Sequence, residues 1–243
     1  DDNKAVRLFK LAADQGHAEA LYNLGVMYAK GQGVVQNYKK AFKWYKLAAD
    51  QGHAGAQFGL GLMYANGRGV PKNYKEAFKW YKLAANQGHA GAQTNLGAMY
   101  AKGRGVAQDY KEAFKWYKLA ADQGHAGAQF GLGLMYAKGQ GVVQNYKKAF
   151  KWFKLTADQG HADAQNNLGV MYANGRGVPK DYKEAFKWFK LAADQGHAGA
   201  QFGLGLMYAN GYGVAQDYKE ALKWYKLAAD QGHAGAQTNL GAM

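Results

Sequence analysis

The 243-residue sequence contains no cysteine and no serine. The first absence excludes a disulfide framework, a thiol nucleophile and cysteine-ligated metal. Together the two remove the commonest nucleophiles of acyl transfer. Acidic residues are scarce, with 17 Asp and Glu against 31 Lys and Arg, so the formal charge is +14. No apolar run approaches the roughly 20 residues that a membrane-spanning helix needs. The missing cysteines say nothing about the redox compartment, which stays open.

What the chain has in place of these is repetition. The stretch from Gly52 to Gly88 nearly matches itself when slid by 36 residues, so that His17, His53, His89, His125, His161, His197 and His233 share one phase. A period of this length with no intervening domain is the signature of a solenoid, whose units bury their apolar faces on their neighbours. The phase predicts one array: a second-helix fragment over 1–16, six full repeats over 17–232 and a first-helix fragment over 233–243. The sequence opens at Asp1, in register with Asn37, and stops at Met243, in register with Met99 inside a helix. Natural solenoids carry polar capping units, so a segment of a longer protein is expected.

Each unit predicts two helices. In helix A, Ala54 to Asn66, the residues Ala56, Leu60, Met63 and Tyr64 form one apolar face. Gly67 and Gly69 stop it, and Val70-Pro71 cannot easily continue it. Helix B starts at Asn73, with Asp109, Asp181 and Asp217 at the same phase and Glu76, Glu112, Glu184 and Glu220 three residues on, the pattern of a capping box. Lys40 and Lys148 replace that glutamate in two units and predict weaker helix starts there. Gly88 ends helix B, and His89 opens the next helix A. The interior glycines at the phase of Gly61 each cost about 1 kcal/mol relative to alanine in a helix, which predicts close helix contact.

Units reading Ala-Gln-x-x-Leu-Gly-x-Met-Tyr-Ala-x-Gly-x-Gly-Val, then Asp/Asn-Tyr-Lys-x-Ala-x-Lys-Trp-Tyr/Phe-Lys-Leu-Ala, resemble Sel1-like repeats, relatives of the tetratricopeptide repeat. The resemblance covers essentially the whole chain. It implies an all-α, right-handed superhelical solenoid of 36-residue helix-turn-helix repeats, with helix A on the concave side, in proteins that act mostly as adaptors or scaffolds. Cysteine-rich relatives linked to β-lactam binding and hydrolysis form a branch from which this serine-free, cysteine-free sequence departs.

Charge and variation then locate two candidate surfaces. Eighteen of the 31 cations are three lysines in each of six helices B, from Lys39, Lys43 and Lys46 to Lys219, Lys223 and Lys226. Such a line suits an acidic surface, nucleic acid or another polyanion, although lysine is also the ordinary residue of a solvated helix face. In helix A, differences between units concentrate at the phases of Gly55, Phe58, Gly59, Leu62 and Asn66. Positions 55, 59, 62 and 66 share one face, read as opposite the packing residues and as the lining of the groove that the resemblance implies. Phe58, Phe130 and Phe202 are read as exposed aromatics where Thr94 and Asn166 show that polar residues also fit. The candidate protein-binding residues are Tyr22, Asn23, Phe58, Leu62, Asn95, Phe130, Leu134, Asn167, Phe202 and Leu206.

Other recurrent residues are read as structural. Histidines one repeat apart are separated by roughly a 10 Å helix-packing distance, whereas the ligands of one ion lie about 2.1 Å from it. Gly67-Arg68-Gly69 follows no strand and lacks the Lys-Ser/Thr pair of a phosphate loop. The tryptophans from Trp44 to Trp224 share a helical face with alanines and are read as core. The expectation is a non-catalytic adaptor or scaffold without cofactor or metal, binding a protein or peptide, acidic ones included, through helix A. Polyanion binding by the helix B lysines is the alternative.

Overall fold

The computed structural model describes residues 2–242, and all the regular structure among them is helical. The chain divides into two compact units, Asp1–His125 and Ala126–Met243. The first contains α1 (Asp2–Asp14), α2 (Ala18–Lys30), α3 (Tyr38–Asp50), α4 (Ala54–Asn66), α5 (Tyr74–Asn86), α6 (Ala90–Lys102) and α7 (Tyr110–Asp122). The second contains α8 (Ala126–Lys138), α9 (Tyr146–Asp158), α10 (Ala162–Asn174), α11 (Tyr182–Asp194), α12 (Ala198–Asn210), α13 (Tyr218–Asp230) and α14 (Ala234–Gly241). Even-numbered helices are helix A and odd-numbered ones helix B. The boundaries follow the 36-residue phase read from the sequence.

Local chemistry explains where each helix begins. His53, His89, His161, His197 and His233 are extended N-caps whose Nδ1 accepts the backbone N–H three residues on, 3.1 Å away for Ala56 and 3.2 Å for Ala92. At helix B, Asn73 and Asp109 each accept two N–H groups, Asn73 those of Lys75 and Glu76. The reciprocal half of the expected capping box does not form at Asn73. Its own N–H donates to the Tyr64 carbonyl at 2.9 Å, and Glu76 is drawn to Lys79 at 2.6 Å. In the units with Lys40 and Lys148 the cap accepts a single bond, Asn37 from the Lys40 N–H and Asn145 from the Lys148 N–H.

Helix A ends on a left-handed glycine. Gly67 has φ 69°, and both its N–H and that of Arg68 donate to the Met63 carbonyl. The second loop glycine, Gly69, is held against the preceding helix B: a Cβ there would lie 2.5 Å from the Tyr38 carbonyl oxygen. This loop is therefore a contact between repeats as well as a stop.

The core is built from small and medium side chains that repeat. In the first unit Leu24, Leu60 and Leu96 are fully buried, as are Ala56 and Ala92 of helix A and Ala41, Ala48, Ala77 and Ala84 of helix B. The six helices B from α3 to α13 each carry a large ring at one phase into this layer, Tyr45, Tyr81, Tyr117, Phe153, Phe189 or Tyr225. The interior glycine of helix A makes room for it: a Cβ at Gly169 would meet the Phe189 ring at 2.6 Å. The tryptophans sit at the edge of this layer. Trp44 and Trp80 are half-buried against the core and Trp224 is buried.

Successive repeats are also joined by glutamine pairs. Gln93 is 4% exposed, and its amide donates to the Ala85 carbonyl at 3.1 Å while its oxygen accepts from Gln123 Nε2 at 2.8 Å. Gln123 Nε2 also reaches the Gly88 carbonyl at 3.0 Å. The arrangement recurs at Gln57 with Gln87, Gln165 with Gln195 and Gln201 with Gln231. A buried amide left without partners is unfavourable, so these polar bonds fix the register of neighbouring helices.

Candidate protein-binding site

The predicted residues fall into two layers. Tyr22, Phe58, Phe130 and Phe202 are half-buried and lie in the seam between repeats. Each stacks on the capping histidine of the following helix A, with centroids 4.5 Å apart for Tyr22 and His53, 4.4 Å for Phe58 and His89, 4.8 Å for Phe130 and His161, and 4.6 Å for Phe202 and His233. Each also tilts against the large ring of helix B, as Phe58 does on Tyr81 at 5.9 Å. The expected row of exposed aromatics is thus corrected, because burying each ring between a histidine and a tyrosine or phenylalanine ring removes more apolar area from water than leaving it outside.

The phase of Gly59 is likewise not exposed. Gly59 and Gly203 are buried, and a Cβ would meet the Tyr45 ring at 3.2 Å and the Phe189 ring at 3.1 Å. Where asparagine takes this phase it finds a polar partner. Asn95 bonds the Tyr81 hydroxyl, whose pKa burial raises to about 12 against that bond. Asn23 donates to Glu19 at 3.3 Å, and Asn167 to the Asp163 carbonyl at 2.9 Å.

The open layer is narrower than the sequence suggested. Leu62 is 36% exposed, while Leu134 and Leu206 are half-buried. Leu62 and Leu206 stand beside recurrent pockets between neighbouring helices A. One of about 170 Å³ is lined by Tyr45, Gly59, Leu62, Asn66 and Arg68, and the next, of about 230 Å³, by Leu62, Tyr81, Asn95, Lys102 and Arg104. In the second unit a pocket of about 360 Å³ is lined by Phe189, Phe202, Leu206, Asn210 and Tyr212. Leu62, Asn95, Phe202 and Leu206 are therefore brought to pockets.

Sequence reasoning missed the rim. The residue between the two loop glycines lies over the first tyrosine of the preceding helix B. Arg68 is 5.5 Å from the Tyr38 ring, Arg104 5.7 Å from Tyr74 and Arg176 5.7 Å from Tyr146, whereas Tyr212 stacks on Tyr182 at 4.6 Å and 5°. Lys72, which bonds the Tyr74 hydroxyl, and then the Arg104 charge hold that phenol below its ordinary range. The signal was present in the sequence as Gln32, Arg68, Arg104, Gln140, Arg176 and Tyr212 at one otherwise fixed phase.

The helix B face is different in kind. Among the described residues, eight of the eighteen stripe lysines pair with a carboxylate on their own helix, Lys79 with Glu76 at 2.6 Å and Lys190 with Asp194 at 2.5 Å among them. Within each unit these helices also expose a leucine at one phase, Leu47, Leu83 and Leu119 in the first and Leu155, Leu191 and Leu227 in the second, each 42–50% exposed. Among the described residues no three His, Cys, Asp or Glu side chains gather to hold a metal ion. No helix among them is long and apolar enough to cross a membrane.

Comparison with known proteins places this geometry. The Sel1 repeat family pattern matches residues 1–17, 18–53, 54–89, 90–125, 126–161, 162–197 and 198–233. A comparison with curated proteins returned no match. Among solved structures, a protective antigen of uropathogenic Escherichia coli with an SLR fold is 39% identical with a TM-score of 0.90, over 98% of this chain and 51% of the antigen. The chain thus spans about half the length of that protein. A Sel1 repeat protein from Oxalobacter formigenes is 35% identical with a TM-score of 0.82, over 94% of this chain and 97% of the other. An immunity protein from Pseudomonas aeruginosa, 21% identical with a TM-score of 0.53 over 90% of this chain and 83% of its own, shares the fold alone. Sel1-repeat proteins are generally protein-interaction scaffolds and typically non-catalytic. With seven matched repeats, 36-residue helix pairs and relatives above 30% identity over nearly its whole length, the chain belongs to the Sel1 repeat family.

Proposed function

We propose that this chain is a non-catalytic scaffold that binds a protein or peptide through the helix A face, with side chains of the partner entering the pockets between neighbouring helices A. The observation that carries this reading is the recurrence of one pocket design, a leucine beside an aromatic floor under a loop residue, at Leu62 in the first unit and Leu206 in the second. The interaction role of Sel1-repeat proteins supports it. The helix B lysines are the weaker candidate, because carboxylates on their own helices already answer eight of them.

The test is to select binders from a displayed library of random twelve-residue peptides on the intact chain and to measure them against two sets of variants. Leu62→Arg and Leu206→Arg fill the pockets while adding positive charge. Lys75→Glu, Lys111→Glu and Lys183→Glu reverse the helix B stripe. Loss of binding in the first set, with the second set and raised salt having little effect, is the expected result. Binding that survives the leucine changes but disappears with the lysine reversals and falls steeply with salt replaces this reading with polyanion recognition.

A further inference from the structure

We propose that the first unit recognises an acidic peptide, seating two carboxylate side chains in the consecutive pockets capped by Arg68 and Arg104. The proposal rests on the helix A reading above and assigns its partner a chemistry. No acidic residue lines either pocket, and the second has Lys102 beside Arg104 at its rim. Among the described residues Arg68, Lys102 and Arg104 pair with no carboxylate, in contrast to eight of the eighteen helix B stripe lysines. Each guanidinium lies over a tyrosine ring, Tyr38 or Tyr74. A guanidinium held by its face keeps its N–H edge free, and that edge is the part that grips a carboxylate with two parallel bonds.

The rest of each pocket suits the stem of a glutamate. Leu62 stands between the two pockets and lines both, with Met63 in the first and Met99 in the second. Volumes of about 170 and 230 Å³ suit one side chain each. Neighbouring helices pack roughly 10 Å apart and an extended peptide advances about 3.3 Å per residue, so the two acidic residues would stand about three residues apart. The second unit supplies the contrast: Tyr212 takes the place of the arginine and stacks on Tyr182, leaving a pocket capped by an aromatic ring in place of a cation. The middle residue of Gly-x-Gly is therefore the specificity-determining position of each pocket.

The experiment uses the intact chain and the selected twelve-residue peptides, resynthesised with each Asp or Glu replaced in turn by Asn or Gln. The expected peptides carry acidic residues three apart. Neutralising one weakens binding to the wild-type chain at least tenfold, and weakens binding less than twofold in whichever of Arg68→Tyr and Arg104→Tyr removes the arginine that grips it. Tyrosine already occupies this phase at Tyr212, and unchanged melting temperatures establish that the variants are folded. Selected peptides without acidic residues, or an equal penalty for neutralisation in wild type and both arginine variants, overturn the acidic-partner proposal. If such peptides still depend on Leu62, the helix A reading stands. Peptides that depend on Leu206 alone overturn the acidic-partner proposal, and peptides indifferent to both Leu62→Arg and Leu206→Arg, or a selection that returns no binder, overturn both.

Discussion

Phe58 lies nearly face to face with the imidazole of His89, ring centroids 4.4 Å apart and planes 27° from parallel. The same imidazole caps the next helix, its Nδ1 accepting the Ala92 N–H at 3.2 Å. One side chain thus joins two repeats and starts a helix, and it can do so only while Nδ1 carries no proton. At the corresponding seam one repeat on, Thr94 Oγ1 stands 3.0 Å from His125 Nδ1.

The pH dependence of stability follows from this geometry. Burial first, and then the neighbouring His125 charge, lower the His89 pKa from its ordinary 6.5, against a backbone bond of its own that raises it. A base whose folded pKa is depressed binds fewer protons in the folded state than in the unfolded state. Its contribution is complete above pH 6.5 and is lost as pH falls from there towards the lower folded value. Urea midpoints should drop between pH 7.5 and 5.5, and drop less in His89→Asn, which keeps a capping oxygen and cannot titrate. Equal drops in both chains would remove His89 from the explanation.

Gly169→Ala sets helix propensity against packing. Alanine is favoured over glycine by about 1 kcal/mol in a helix interior. Its methyl group, however, would sit 2.6 Å from the Phe189 ring, and overpacking of a core costs about 1–3 kcal/mol. Net destabilisation is expected, with recovery when Phe189→Leu is added. A stabilised single variant, read by chemical denaturation, would show that the ring can move aside.

Helices, caps and period were legible in the sequence because they depend on local spacing and on residues such as Asn73, Gly67 and His89, whose chemistry acts within a few positions. The candidate face was only half legible. Phe58 and Gly59 vary between units as surface residues do, yet both sit under rings from other helices, Phe58 on His89 and Tyr81 and Gly59 on Tyr45. At the phase of Gly59 the variants are a glycine under a ring and an asparagine that finds a polar partner, Tyr81 for Asn95 and the Asp163 carbonyl of its own helix for Asn167. Arg104 carries no local signal, because its loop glycines explain the motif without it, and its place on Tyr74, in the preceding repeat, is a fact of tertiary structure.

The glutamine seam is testable on its own. Gln93→Leu keeps the bulk but removes the acceptor of Gln123 and the bond to Ala85. Leaving buried polar groups unpaired costs about 1–3 kcal/mol, so the denaturation midpoint should fall. Faster amide exchange should appear in both α5 and α7, which carry the two lost partners at their C-terminal ends. Exchange confined to α6 would mean that the pair holds only its own helix.

Stability and binding can be separated along the helix A face. Phe130 touches Phe153 at 5.7 Å and His161 at 4.8 Å, so Phe130→Thr opens a seam between repeats. The ring is half-buried, and the loss should be smaller than for a fully buried phenylalanine, about 1–3 kcal/mol. Thr94 does not show that threonine is neutral here, because that residue stands in hydrogen-bond contact with His125. Leu62 is more exposed and touches no capping histidine in this way, so Leu62→Asn should move the melting temperature little while weakening peptide binding. The two variants should therefore fail in opposite assays, thermal unfolding for Phe130→Thr and titration with the selected peptides for Leu62→Asn. If Phe130→Thr melts like the wild type and loses binding instead, the phenylalanine row contacts the partner directly, and the boundary between seam and binding surface lies one residue phase further along helix A.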